Sequence, residues 1–127
     1  MLVTNKWEKK GLYIQHKGVV SSKDMLDADR NYRNAKFDAL SYIIVDLSLV
    51  TNFTFNFSRM EEKAAQSNVE GVWKDKIKLV FVVTTPKVRE LIEYYVSLME
   101  EQENNWDLFI VDSEENARRL VTVRLLK

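Results

Sequence analysis

The chain has 127 residues, of which 46% are hydrophobic and 30% charged, and its 19 basic residues balance 19 acidic ones. This length and composition fit one compact domain with a hydrophobic core, so we expect residues 1–127 to form a single domain. The zero formal charge does not favour nucleic acid or an anionic membrane as a partner.

The composition also excludes several kinds of site. The chain has no cysteine and a single histidine, His16, which rules out disulfides, thiolate metal sites and clusters of imidazole ligands. We therefore expect no metal and no cofactor. The start, MLVTNKWEKKG, lacks the apolar run of a signal peptide, and about eighteen consecutive apolar residues occur nowhere. These features predict a cytoplasmic protein without a membrane span.

The first part of the chain predicts two strands and a helix. A strand covers residues 2–7, and a hairpin turn follows at residues 9–11. The stretch GLYIQHKGVV predicts a second strand, because an apolar set of side chains (Leu12, Ile14, His16) alternates with a more polar set (Tyr13, Gln15, Lys17). Ser21 and Asp24 then resemble a capping box that starts a helix over residues 21–34.

The middle of the chain predicts the centre of a sheet. SYIIVDL and IKLVFVVT are almost continuous runs of β-branched and aromatic residues, which is typical of strands covered on both faces. We expect them to be adjacent and parallel. A weaker helix is predicted between them, over residues 58–73.

The last part predicts a helix, a strand and a second helix. In TTPKVRELIEYYVSLMEEQ, Thr85 suits the N-cap and Pro86 the first helical position, and one side is apolar (Val88, Leu91, Ile92, Tyr95, Val96, Met99). A strand follows at residues 108–111. Asp112 and Glu115 form a cap-like pair before the final helix.

This succession predicts an α/β domain with a mixed sheet of about five strands and crossover helices, in the order β-β-α-β-α-β-α-β-α. The pattern resembles the STAS domain, and within it the SpoIIAA-like family of anti-sigma-factor antagonists. The stretches that carry the resemblance are GVVSSKD, IIVDLSLV, KLVFVVTT and FIVDSEENARRLV. Together they span most of the chain.

The resemblance implies a regulatory protein whose serine is phosphorylated by a partner kinase. In such antagonists, a strand ending in Asp-Leu-Ser-x-Val leads to an Asp-Ser pair at the next helix. Asp46, Ser48 and Val50 match the first part, but TNFTFNF stands where the Asp-Ser pair is expected. Ser58 is the remaining candidate phospho-acceptor. We favour a capping role for it, because Ser58 and Glu61 have capping-box spacing and nearby carboxylates would repel a phosphate.

A ligand pocket or a loop is the second kind of candidate site. Asp46 and Ser48 are predicted to lie at the C-terminal end of a strand that covers residues 42–47, where an aspartate commonly bonds loop amides. The rings of Phe53, Phe55 and Phe57 alternate with polar residues, and they either line a pocket for a small apolar ligand or pack in the core. A small enzyme that uses Asp46 with His16 is a further alternative.

A protein interface is the third kind of candidate site. Tyr94 and Leu98 widen the apolar side of the long helix beyond what one core contact requires, which predicts a protein partner or a homodimer. The sequence favours a non-enzymatic STAS-like binding or regulatory module that acts through protein contacts.

Overall fold

In the computed structural model, the described residues are 3–21, 41–53, 77–101 and 106–123. They form, in chain order, strands β1 (Val3–Trp7), β2 (Gly11–Val20), β3 (Tyr42–Phe53) and β4 (Lys78–Val82), helix α1 (Pro86–Glu101), strand β5 (Asp107–Val111) and helix α2 (Glu114–Val123). Apart from Ser21, the helices predicted over 21–34 and 58–73 lie outside the described residues.

The strands form one mixed sheet in the order β1-β2-β3-β4-β5. β1 is antiparallel to β2, whereas β2, β3, β4 and β5 are parallel to their neighbours. Residues 42–46 of β3 pair with all of β4. This arrangement confirms the α/β class, the mixed sheet and the central parallel pair, which long connections between the strands require.

A tight turn joins β1 to β2 where the sequence predicts one. The Glu8 N–H donates to the Gly11 carbonyl over 2.8 Å. Gly11 lies opposite Tyr42 on the neighbouring strand, and a β-carbon added at Gly11 would lie 2.2 Å from the Tyr42 ring. Any larger residue at position 11 would therefore require the Tyr42 ring to move.

Each face of the sheet is covered by one described helix. α1 buries most of its predicted apolar side against the larger core, and Phe81 and Tyr95 meet there edge to face with ring centroids 5.6 Å apart. α2 covers a smaller cluster on the other face. The sheet residues buried on the α1 face include Leu12, Ile14, Ile43, Val45, Leu47, Leu79 and Phe81, and the smaller cluster consists of Ile44, Val80, Val82, Ala117 and Val121.

β3 is longer than the sequence predicts. The prediction ended this strand at Leu47, but β3 continues to Phe53. Beyond Asp46 it no longer pairs with β4 and continues beside β2 as a two-stranded segment, residues 17–20 with 49–53, which we call the β2–β3 ribbon. Asp46 therefore lies in the middle of the strand and not at its end, and Ser48 lies within the strand and not in a loop, because β2 supplies backbone partners as far as Val20.

The pairing of β2 with β3 is interrupted by two bulges, one after Gln15 and one after Gly18. The first places an extra residue in β3, so that Leu47 and Val50 both contribute to the α1-side core. Leu49, which strict alternation would put on that buried face, is instead 44% exposed. Gly18 has a φ of 71°, a left-handed conformation that glycine adopts without strain.

The start of α2 differs by one residue from the prediction. Ser113 is the N-cap, because its Oγ accepts the Asn116 N–H over 3.1 Å and its carbonyl accepts the Ala117 N–H over 3.1 Å. The predicted cap-like pair of Asp112 and Glu115 is therefore wrong. Asp112 Oδ1 instead accepts a hydrogen bond from the Asn116 side chain over 2.7 Å.

Candidate functional site: a buried polar cluster around Asp46

Asp46 is a buried carboxylate on the α2 face of the sheet, with 3% of its surface exposed. Its Oδ1 accepts the Ser48 N–H over 2.9 Å. Its Oδ2 accepts a hydrogen bond from the Tyr13 hydroxyl and a longer one, 3.4 Å, from Gln15 Nε2. We call Tyr13, Gln15, Asp46 and Ser48 the Asp46 cluster. Both carboxylate oxygens are occupied by donors from two adjacent strands.

These contacts keep Asp46 charged. Burial raises the pKa of the Asp46 carboxyl, but hydrogen bonds from Ser48, Tyr13 and Gln15 outweigh burial and hold that pKa below its ordinary value of 3.8. The pKa of the Tyr13 phenol is raised, first by burial and then by the hydrogen bond to Asp46. At neutral pH, Asp46 is therefore an ionised acceptor and Tyr13 a protonated donor.

A second group of polar contacts ties α2 to the Asp46 cluster and to the β1–β2 turn. The Arg118 guanidinium lies 5.1 Å from the centre of the Tyr13 ring, a cation–π distance. Arg118 Nη1 donates to Glu8 Oε1 over 2.5 Å, and its Nε donates to Glu114 Oε2 over 3.2 Å. Glu8 also accepts the Tyr42 hydroxyl. One arginine thus connects three separate parts of the chain.

The charges of this second group are matched as well. The hydrogen bond from Arg118 lowers the pKa of Glu8, and this effect and a smaller one from Tyr42 exceed the opposing effect of burial. Burial, followed by the hydrogen bond to Glu8, raises the pKa of Tyr42 to about 12. The contact therefore consists of an ionised Glu8 between a charged arginine and a protonated phenol.

The sheet separates the two residues proposed for the enzyme alternative. His16 follows Gln15 directly and pairs with Val3 of β1, so it faces the α1 side with Leu12 and Ile14 and is 1% exposed. Asp46 faces the α2 side. A catalytic pair of Asp46 and His16 is therefore wrong, and a carboxylate with a lowered pKa is a poor general base at neutral pH.

Two further features bear on the kind of site. Within residues 3–21, 41–53, 77–101 and 106–123, no group of three or more histidine, aspartate or glutamate side chains is arranged to hold a metal ion. In the same ranges, neither helix has the length and apolar character needed to cross a membrane.

The other predicted site residues are not gathered into one place. Ser48 belongs to the Asp46 cluster, and its carbonyl accepts the Thr84 hydroxyl over 3.3 Å. Phe53 ends β3. Tyr94 and Leu98 are partly buried and pack against the α1-side core. Three of the predicted residues, Phe55, Phe57 and Ser58, lie outside the described residues.

The β2–β3 ribbon provides the exposed apolar surface. Among the described residues, the most exposed large hydrophobic side chains are Val19, at 47%, and Leu49, at 44%. Lys17 pairs with Leu49, and Val19 lies two residues further along β2, so both apolar side chains belong to the same short segment. The sequence did not predict this surface, because the bulge that exposes Leu49 leaves no recognisable pattern.

Sequence reasoning also missed the partners of Asp46. Tyr13 lies 33 residues from Asp46 and 101 residues from Glu114, so no local spacing connects them. One signal was available: the polar face of β2, with Tyr13 and Gln15, adjoins a strand expected to be covered on both sides. Polar side chains on a covered face need hydrogen-bond partners, and Asp46 was the acidic residue on the neighbouring strand.

No protein-family model matches the chain, and no curated protein sequence matches it. Comparison with solved structures does find similar folds. The unphosphorylated form of the anti-sigma factor antagonist SpoIIAA superposes with a TM-score of 0.59 at 13% identity, covering 96% of this chain and 97% of that one. The Bacillus cell fate determinant SpoIIAA in its phosphorylated form gives a TM-score of 0.54 at 13% identity, covering 93% of this chain and 98% of that one. The described sheet and helices therefore have the STAS, SpoIIAA-like fold.

Proposed function

We propose that this protein is a regulatory module that acts by binding other proteins, and that it is not an enzyme. The observation that carries the proposal is the fold match, which extends over nearly the full length of both chains to a protein described as an anti-sigma factor antagonist. At 13% identity this match concerns the fold, and the exposed apolar surface and the Asp46 cluster add support for the function.

The Asp46 cluster supports a structural role for its polar groups. Its carboxylate is ionised, buried and supplied with donors, and its hydrogen bonds join β2 to β3. An acid that serves catalysis usually has a pKa close to the working pH. Asp46 has the opposite shift, which favours a role in fixing the end of the central strands.

We place the partner-binding surface on the exposed side of the β2–β3 ribbon. Val19 and Leu49 are apolar and about half exposed there, and burying the exposed half of such a side chain is worth about 1 kcal/mol. The ribbon also leads directly from the Asp46 cluster, so the cluster fixes its position. A protein partner that covers the ribbon would gain this burial without reshaping the sheet.

We propose further that binding does not depend on phosphorylation of Ser58. The Asp-Ser pair of the antagonist pattern is missing, and Ser58 with Glu61 has the spacing of a capping box. On this basis, Ser58→Ala and Ser58→Asp should both leave partner affinity unchanged. A large change in affinity with Ser58→Asp, or stoichiometric phosphate on Ser58 in protein from its own cells, would favour the phospho-switched antagonist instead.

The proposed setting is the cytoplasm, with a protein partner and no nucleic acid. A homodimer through Tyr94 and Leu98 and a small apolar ligand beside Phe53 remain predictions. Leu98→Glu should lower the apparent mass in light scattering if the dimer forms, and a monomeric parent protein at high concentration would contradict that form of the proposal.

The main experiment tests whether the β2–β3 ribbon is the partner-binding surface. The full chain, carrying an affinity tag, is crosslinked in its own cells, and the retained proteins are quantified for the parent and for Leu49→Glu and Val19→Glu. The matched control is Thr122→Glu, an exposed position on α2. We expect a specific partner to be retained by the parent and the control and to fall by about tenfold or more with either ribbon variant.

Circular dichroism melts of all four proteins show whether the variants are folded. If the folded ribbon variants retain the same partners as the parent, the ribbon assignment is contradicted. If the parent retains no protein above an untagged sample, the protein-binding function itself is contradicted.

A further inference from the structure

Within the described residues, β5 is an edge strand of the sheet. β5 is the last strand of the sheet, and no strand in the described ranges pairs with its outer side. The Asp107 N–H donates to the Ile77 carbonyl over 2.9 Å, and the Val111 carbonyl accepts the Val83 N–H over 2.9 Å, so alternate residues of β5 point their backbone groups inward. In a parallel pair the residues between them point outward. Leu108 and Ile110 therefore present N–H and C=O groups to the open edge.

The two edges of the sheet are protected differently. β1, at the opposite edge, carries Thr4, Asn5 and Lys6, and lysine on an edge strand discourages pairing with other chains. β5 has the sequence DLFIV, with four apolar residues after a single aspartate, and these four side chains are only partly buried. An edge strand that is apolar beyond its first residue favours the addition of another strand.

A groove of about 600 Å³ lies along this edge, between β5 and the neighbouring helices. Ile110, Val111 and Leu120 form its apolar lining. Its cations are Lys78, Arg89 and Arg119, and Asp112 is the carboxylate that lines it. The lining is therefore apolar along the strand and positively charged around it.

The two arginines lie in different layers. Arg89 belongs to α1, which covers one face of the sheet, and Arg119 belongs to α2, which covers the other. Arg89 Nε is 3.8 Å from Glu93, and Arg119 Nη2 is 2.8 Å from Glu115, and all four side chains are about half exposed or more. Such exposed pairs four residues apart contribute only about 0.3–0.5 kcal/mol, so either arginine can exchange its partner at little cost.

We propose that the open edge of β5 binds an extended acidic segment of a partner protein as an added strand. The segment would pair with the backbone groups of Leu108 and Ile110. Its side chains would point alternately toward the α1 side, where an acidic residue meets Arg89, and the α2 side, where one meets Arg119. β4 separates β5 from the strands of the β2–β3 ribbon, so this surface is distinct from the ribbon and goes beyond the proposed function.

A second copy of the chain fits this edge less well than an acidic segment does. An antiparallel contact between two β5 strands would bring a second pair of arginines toward the first, and like charges oppose each other at an interface. An acidic segment supplies the opposite sign on both sides of the strand. The groove therefore selects for charge as well as for extended backbone.

The test uses a random octapeptide library selected on the immobilised full chain, with the Arg89→Glu and Arg119→Glu double variant as the counter-selection. The matched control is Lys9→Glu with Lys10→Glu, which changes the same charge at the exposed β1–β2 turn. We expect enrichment of aspartate and glutamate at pairs of positions that face opposite sides of the added strand, which are neighbouring positions or positions three apart. The affinity of a selected peptide should fall by about tenfold or more with the arginine variant, fall in high salt, and be unchanged with the lysine control.

Amide hydrogen exchange identifies where the selected peptide binds. The N–H groups of Leu108 and Ile110 should exchange about tenfold more slowly with the peptide present. Peptides without acidic residues, equal affinity for the arginine variant, or protection at other strands would each overturn the proposal, as would dimers of the free chain protected at β5. Leu49→Glu should leave peptide binding unchanged, so a failure here is distinct from a failure of the ribbon.

Discussion

Replacing Asp46 by alanine should destabilise the protein through donors that lose their acceptor. Asp46 is 3% exposed and accepts from the Ser48 N–H, the Tyr13 hydroxyl and the Gln15 amide. A buried donor left without a partner costs about 1–3 kcal/mol. Tyr13 and Gln15 are half-buried and can turn toward water, so we expect a total of about 2–4 kcal/mol for Asp46→Ala.

Urea unfolding followed by tryptophan fluorescence measures this loss as a lower midpoint at an unchanged slope. Asp112→Ala is the matched control, because Asp112 is exposed and its removal should cost less than about 0.5 kcal/mol. Tyr13→Phe combined with Asp46→Asn gives a double-mutant cycle, and we expect a coupling of about 1–2 kcal/mol. A free energy of unfolding for Asp46→Ala within about 0.5 kcal/mol of the parent, or zero coupling, would refute the structural role of the cluster.

Three further outcomes follow from the described contacts. Arg118→Met should lower the free energy of unfolding by about 1–2 kcal/mol, because Glu8 loses its hydrogen-bonded cation, and an unchanged urea midpoint would contradict this. Gly18→Ala should cost about 1–2 kcal/mol because of the left-handed backbone, and thermal melts that match the parent would speak against the bulge geometry. The folded-state pKa values of Asp46 and Glu8 are lowered, so the stability they contribute is present above about pH 5 and is lost as the pH falls through their folded pKa values. Glu8→Gln should make the acid branch of a stability–pH curve less steep, and an equally steep curve would exclude Glu8 as a contributor.

The elements that depend on local patterns could be predicted from the sequence. The β-branched runs identified β3 and β4, and the apolar side of α1 was predicted almost residue for residue because its period is that of a helix. The alternation in β2 also separated its two faces correctly. Each pattern reflects which side chains are buried. Buried positions recur about every second residue in a strand and about every 3.6 residues in a helix.

The features that depend on pairing could not be predicted in this way. β3 extends past Leu47 only because β2 remains beside it, and this depends on a strand more than twenty residues earlier in the chain. The cap of α2 is Ser113 and not Asp112, since both residue types suit an N-cap and only the first hydrogen bond of the helix decides between them. The contacts of Arg118 with Glu8 join residues 110 positions apart, and nothing in a local window indicates them.

The bulges in the β2–β3 ribbon change how positions can be compared between proteins of this fold. Twelve residues of β3 cover the same length as ten residues of β2, so β3 contains two residues without a counterpart. A role carried over from another protein by counting forward from Asp46 keeps its position only if that protein has the same bulges; if it lacks the first bulge the role shifts by one position, and if it lacks both it shifts by two. Assignments beyond β3, including any judgement about which serine corresponds to a phosphorylated one, must therefore be made from superposed coordinates and not from residue spacing.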